Sequence, residues 1–465
     1  HDLRTPLTRM KLQLALIKDE KLVERFSSDI DEMEKMLNEY LQFSSESNKE
    51  QTEEFEFNEW SLKPSLEIRI GLQHGDDMNF GLGALDDLSE KDRVNAELSV
   101  EPALYFEHPF SDGNFFGKTS LVGAANVVDG ELSGQFARAG DSKIDWDEWY
   151  IGWRNQSFSV SLGAQPLMIG DGFLIGDGNF DTGRNQGNFW VGPFDAFRNA
   201  AVASYEGKHI RGDAFWLRSD VDFGNSLLYG VNLENVDSPL GRYGFMFIEV
   251  YSGNALQYDG VKSLNFRALG VPMPYFEPLK FYTEVVWQSG TDDDNIGGNV
   301  DALGWYVDAV FSVPGMVWPT AITFRHSRFS GDKLGTTDSE NYRPLFYGFG
   351  ARGWDTFYQG EVAGEFHLFN SNQVTRFVKI HISPRPTYAL TVYYYSHDLE
   401  ERHYFGQTVS SRDWADEINA GIEYFGDGQV YLYAGIAWST PHTGAREIFG
   451  DDDTTVLQTW MQFTF

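Results

Sequence analysis

"VLQTWMQFTF", residues 456–465, puts Leu457, Thr459, Met461, Phe463 and Phe465 on one face of a strand with period two. The same period recurs upstream. In "LEIRIGL" (66–72), Leu66, Ile68, Ile70 and Leu72 oppose Glu67, Arg69 and Gly71. "AELSVEPALYF" (96–106) opposes Ala96, Leu98, Val100, Leu104 and Phe106 to Glu97, Ser99, Glu101 and Tyr105. "GWYVDAVFSV" (304–313), "EINAGIEYF" (417–425) and "VYLYAGIAW" (430–438) repeat the pattern. Between such runs lie turn-forming clusters such as "GTDDDNIGGN", "SGDKLGTTDSEN", "FGDGQ" and "FGDDDTT".

The pattern persists from about residue 58 to 465 with no convincing helix and no visible linker. A soluble sandwich that long would divide into domains. A closed barrel removes exposed edges and keeps so many strands in one unit. At roughly 22 residues per strand and connection, the region holds about 18 strands. The expected fold is therefore all-β, a transmembrane antiparallel β-barrel. Aromatics make up 15% of the 465 residues, and they fall near strand ends, as interfacial girdles require. No run of eighteen apolar residues occurs, so no transmembrane helix is expected.

Charge narrows the partners. The formal net charge is −33; the first fifty residues hold 8 basic and 11 acidic residues, which leaves 28 and 58 for the rest. So acidic a chain is a poor partner for nucleic acid. Outer-membrane lipid, the barrel-insertion machinery and a polar or anionic solute are the expected partners. With 0 Cys there is no disulfide, thiol nucleophile or cysteine-type zinc site. "DDDNIGG" fails the EF-hand order, so no metal is expected, and no cofactor either. "GFGARG" matches GxGxxG (Gly348, Gly350, Gly353) but lacks a strand–turn–helix unit; like "IGDGFLIGDG", it reads as turns or close backbone packing. Nothing in the barrel demands an enzyme.

Residues 1–50 differ. Leu3, Leu7, Met10, Leu14 and Ile17, then Val23, Phe26, Ile30, Met33, Leu37 and Tyr40, step by three and four. That is an α-helical hairpin with one apolar seam, which a second copy would complete into a four-helix bundle. Residues 51–57 join it to the barrel. The sequence begins at His1 with no charged and apolar leader, so it reads as a fragment or a processed chain.

Three resemblances follow. "HDLRTP" with its heptads resembles the dimerisation and phosphoacceptor hairpin of sensor histidine kinases. This implies a phosphorylated His1, with Asp2 removing its proton and Thr5 aligning water. A response regulator would be its partner if the hairpin functions. The ATP-binding domain of that family is missing from the sequence, so the hairpin is no kinase by itself, and the piece reads as foreign to the barrel. The closing Phe463 and Phe465 resemble the insertion signal of bacterial outer-membrane barrels. "DEWYIGWRNQSFSVSLGAQPLMIGDGFLIGDGNF", "FRNAAVASYEGKHIRGDAFWLR" and "PLFYGFGARGWDTFYQGEVAGEFHLFNSNQ" resemble the alginate-export family of outer-membrane porins. That resemblance implies an 18-stranded channel in a bacterial outer membrane, passing an anionic polysaccharide such as alginate through a basic lumen. The inward basic candidates are Arg69, Arg154, Arg211, Arg267, Lys280, Arg325 and Lys379. The acidic ones are Glu67, Glu97, Glu101, Glu284, Asp308, Glu361 and Glu365. The charge of −30 on residues 51–465 runs against a polyanion conduit, since a pore of like charge repels its solute.

Overall fold

Alternating residues satisfy two solvents at once, and the computed structural model shows the result. It describes residues 55–57, 59–134, 140–178, 190–220, 224–236, 238–253, 258–291, 298–348 and 360–465. The predicted helical hairpin lies outside these.

Eighteen strands close a barrel, and a short nineteenth, Phe55–Phe57, pairs with the start of the first. The barrel strands are β1 Trp60–Asp76, β2 Arg93–Phe110, β3 Gly113–Asn126, β4 Ser142–Arg154, β5 Phe158–Gln165 and β6 Phe197–Glu206. Then come β7 Ile210–Arg218, β8 Leu227–Asn235, β9 Arg242–Ser252, β10 Val261–Met273, β11 Phe276–Thr291 and β12 Asn299–Ser312. The last are β13 Thr320–Phe329, β14 Gln373–Arg385, β15 Tyr388–Leu399, β16 Asp413–Gly426, β17 Val430–Pro441 and β18 Thr454–Thr464. Each pairs antiparallel with its neighbour in sequence, and β18 closes on β1 from Thr464 opposite Glu67 to Thr455 opposite Asp76. Phe465 extends the seam, its N–H donating to the Leu66 carbonyl at 2.9 Å and its carbonyl accepting from Leu66 at 3.0 Å. The predicted strand number and hand of alternation both hold.

The two rims differ. One carries tight connections at 111–112, 155–157, 207–209, 274–275, 386–387 and 427–429, together with both barrel ends. The other carries long loops, among them 77–92, 166–196, 330–372, 400–412 and 442–453. Outer-membrane barrels place short turns in the periplasm and long loops outside. On the outer surface, aromatic pairs sit near both rims. Phe110–Phe115, Phe158–Tyr205, Phe276–Phe311 and Tyr388–Tyr424 mark the short-turn side. Trp216–Tyr251, Phe266–Trp287 and Trp305–His326 mark the other. Ile70, Leu98, Ile151, Leu162, Val231, Val307 and Ile436 belong to the apolar band between them.

The hydrophobic core lies inside the barrel. Leu167, Ile169, Phe173, Leu174 and Ile175 from loop 166–196 pack with Tyr342, Leu345 and Phe346 from loop 330–372. They bury the inward faces of β6–β13, including Phe215, Leu217, Leu228, Met246, Ile248 and Val250. A second cluster, with Met78, Phe80, Phe366, Leu399 and Trp414, knits the outer loops over β15–β18.

Candidate functional site

The lumen is narrowed by the two long loops, and each is anchored to the wall by a carboxylate. Tyr306 on β12 donates its hydroxyl to Asp171 Oδ2 at 2.5 Å, and the Asp171 N–H donates to Glu284 on β11 at 3.2 Å. Further along loop 166–196, the Val191 N–H donates to Glu97 on β2 at 3.0 Å, and Ser99 donates to the Val191 carbonyl at 3.0 Å. In loop 330–372, the N–H groups of Val362 and Ala363 point at Glu417 on β16, the latter at 2.9 Å. Hydrogen bonds to a buried charge contribute about 1.5–3 kcal/mol each, so these are substantial tethers.

The loops also hold each other. The Gly176 N–H donates to the Phe346 carbonyl at 2.7 Å, the Phe346 N–H to the Leu174 carbonyl at 3.1 Å, and the Gly348 N–H to the Gly172 carbonyl at 2.8 Å. A β-carbon on Gly176 would stand 2.6 Å from Gly348 Cα. Close backbone packing is therefore what "IGDGFLIGDG" and Gly348 of "GFGARG" do; Gly350 and Gly353 lie outside the described residues. On β1, a β-carbon on Gly71 would meet Val191 at 2.5 Å and Trp190 at 2.8 Å. Glycine there is the seat for Trp190, which also meets Trp460 edge-on at 6.1 Å.

The basic residues named from the sequence are mostly neutralised. Arg267 pairs with Glu234 at 2.8 Å, and Arg325 grips Asp308 with two bonds of 2.5 and 2.7 Å while lying over Phe377 at 4.4 Å. Arg267, Glu284, Arg325 and Asp308 are all buried in the wall. All four point inward but are closed off from water, Arg267 and Glu284 beneath the Gly170 stretch of loop 166–196. Arg69 pairs with Glu67 at 2.5 Å beside Trp460, Arg211 with Asp213 at 3.2 Å, and Arg154 with Glu107 at 2.7 Å at the short-turn rim. Lys379 lies 5.3 Å over the Tyr393 ring. Lys280 is exposed near the short turns, in the same cross-strand row as Lys379 through Val310 and Thr323. Glu361 and Glu365 are not strand residues; both lie on the 360–372 part of the inward loop, where Ala363–Leu368 forms a π-helix. His367 there is buried, and that burial, with His397 near it, lowers its pKa to about 3, so the ring is neutral.

The opposite wall is acidic. A bulge in β4 turns both Asp147 and Glu148 inward opposite Ser120, where they meet Glu101 of β2. The three carboxylates lie within 4.8 Å of one another, an arrangement that could hold a cation. The ammonium of Lys118 on β3 already bonds Glu148. Asp195 stands beside them, open to lumen water but enclosed by the barrel. That enclosure, then the Glu148 charge, holds its carboxyl up to about 6. Sequence reading named Glu101 but missed Asp147, Glu148 and Asp195, although "DWDEWY" carried a sign of the first two: Trp146 and Trp149, three apart, both face outward, so the alternation breaks between them. His1, Asp2, Thr5 and the acids 292–294 lie outside the described residues.

Comparison with known proteins gives two unrelated likenesses. The His Kinase A (phospho-acceptor) domain family matches residues 1–49. A stretch of 42 residues is 50% identical to the sensor histidine kinase GtrS of Pseudomonas aeruginosa, covering 9% of each chain. The fold resembles the crystal structures of OccK5 (OpdH) of Pseudomonas aeruginosa, with a TM-score of 0.56, 12% identity and coverage of 87% of this chain and 98% of that one. OccAB3 of Acinetobacter baumannii superposes with a TM-score of 0.57, 10% identity and coverage of 87% and 99%. The outer membrane protein OprD of Pseudomonas aeruginosa gives 0.56, 10%, and 89% and 95%. The shared feature is the fold, a barrel of the outer-membrane type, and a bacterial outer membrane is the setting of that fold.

Proposed function

We propose that the protein is an outer-membrane channel for passive passage of small polar solutes through a lumen narrowed by two inward loops. The observation that carries this is the joined pair of loops 166–196 and 330–372, tethered to opposite walls by Asp171, Val191, Val362 and Ala363. A water-filled pore needs no such tethers, whereas a selective one needs its constriction held in place. In planar bilayers the protein would give small unitary conductance, and liposome-swelling rates would fall steeply with solute size. Large ohmic conductance that admits oligosaccharides, or no conductance at all, would refute it.

The finer reading, a polyuronate such as alginate, is supported by the sequence resemblance and by the Lys280–Lys379 row. The pairing of Arg69, Arg154, Arg211, Arg267 and Arg325 with carboxylates weighs against it. Block of the ionic current by added oligouronate would favour the polyanion; indifference would leave small solutes. Phe463 and Phe465 are proposed as the assembly signal, and deleting Phe465 would slow the appearance of the heat-modifiable folded band in cells.

A second reading rests on the match of residues 1–49 to the phosphoacceptor family. His1 would then accept a phosphoryl group from a separate kinase domain, with Asp2 as base and a response regulator as recipient. Incubation with a competent kinase domain and labelled ATP tests it, and absence of label on His1 rejects it.

A further inference from the structure

The lipid-facing surface of β13–β15 is apolar through Phe324, Ile380 and Val392, and changes at the long-loop end. Arg325, Ser327 and Thr375 point inward, so His326, Arg328 and Arg376 point out of the barrel. With Arg412, just before β16, they line a hollow of about 470 Å³ on the outer surface.

Its height is set by register. Arg376 pairs with Ser396, one strand repeat beyond the outward Tyr394, and Arg328 pairs with Trp305, which meets His326 edge-on at 5.2 Å. Outward Trp and Tyr mark the headgroup level of a bilayer. Arginine on the lipid face costs about 2–4 kcal/mol at mid-membrane and little at that level. The long loops place this rim outside.

Carboxylates support the arginines from beneath. Arg376 bonds Asp398 at 2.8 Å, Arg328 bonds Glu400, and Arg412 lies 3.5 Å from Glu401. The acid side chains are 24%, 11% and 26% exposed, against 56%, 47% and 52% for the arginines. The acids are therefore tucked in and the guanidiniums held out, with Asp413 the exposed acid at the edge. A guanidinium has five N–H donors and a carboxylate takes at most two, so donors remain for a second anion.

We infer that this hollow holds the phosphorylated headgroup of an outer-leaflet glycolipid, with phosphate oxygens accepting from Arg328 and Arg376. The inference rests on the outer-membrane reading of the barrel. Native mass spectrometry of the full chain from detergent would test it, with a bisphosphorylated acylated diglucosamine, the same glycolipid stripped of phosphate, and inorganic phosphate as probes. The expected result is one retained phosphorylated glycolipid per barrel and at least about tenfold less of the stripped one. R328A/R376A would lose this retention, and Lys262→Ala, at the same rim on β10, would keep it. Equal retention of the two glycolipids by the unaltered protein overturns the inference without recourse to any variant. So does inorganic phosphate displacing the glycolipid at equal concentration, which would make the site one for a free anion. A barrel that conducts but retains no glycolipid sinks this inference alone; a chain that neither inserts nor conducts sinks the channel reading.

Discussion

Tyr306→Phe removes one oxygen from the anchor of loop 166–196. Both partners of that bond are enclosed, Tyr306 at 0% and Asp171 at 6% exposure, and their separation is 2.5 Å. Loss of a hydrogen bond to a buried carboxylate costs about 1.5–3 kcal/mol. At about 1.4 kcal/mol per decade, the detached state of the loop should gain roughly tenfold to a hundredfold in population. The Asp171 N–H keeps its bond to Glu284, and the Gly176–Phe346 contact remains, so the lower half of that range is expected. Single-channel recording in concentrated salt reads this as more frequent transitions to a larger conductance. Amide exchange at Gly172 and Gly176 should accelerate by the same factor if the loop leaves as a unit. Tyr433→Phe serves as a control, because that hydroxyl meets the wall residue Gln458. If the variant folds in normal yield and its transition frequency stays within about threefold of the parent, the tether does not control the constriction.

Four further outcomes follow from the wall. Lys118→Met strips the ammonium from Glu101, Asp147 and Glu148; one charge near the ion path is worth about 1 kcal/mol after screening, so the potassium-to-chloride permeability ratio from reversal potentials should rise several-fold. Because the Asp195 carboxyl is held up to about 6, it is neutral below that pH and charged above it; cation preference should therefore grow between about pH 5 and 7, and Asp195→Asn should flatten the profile. Gly71→Val drives methyl groups into Trp190 and Val191 and should raise the size limit in liposome swelling. Arg325→Met removes both guanidinium bonds from the buried Asp308 carboxylate and should cost about 3–5 kcal/mol in urea unfolding, most of it recovered when Asp308→Leu is added.

What the sequence revealed and concealed has one physical origin. Outward faces meet a uniform solvent, lipid, so Leu66 to Leu72 or Val430 to Trp438 alternate cleanly and strand number can be read from them. Inward faces meet whatever the loops place there. Glu284 looks like a pore charge in isolation, and only a loop segment distant in sequence turns it into an anchor. Yet the covering loop left a mark. "YGFMFIEVY" on β9 is apolar at both parities, with Phe245 and Phe247 toward lipid and Met246, Ile248 and Val250 inward. A strand with water on one side cannot be built that way without exposing large apolar groups to it. Such a strand inside an otherwise alternating barrel thus predicts an inward plug against that wall. Here the plug is Leu167 to Ile175 with Leu345 and Phe346. The reciprocal mark stands on the plug, where "PLMIGDGFLIG" is far too apolar for an exposed loop. Read together, the doubly apolar strand and the apolar loop locate the wall against which the constriction packs.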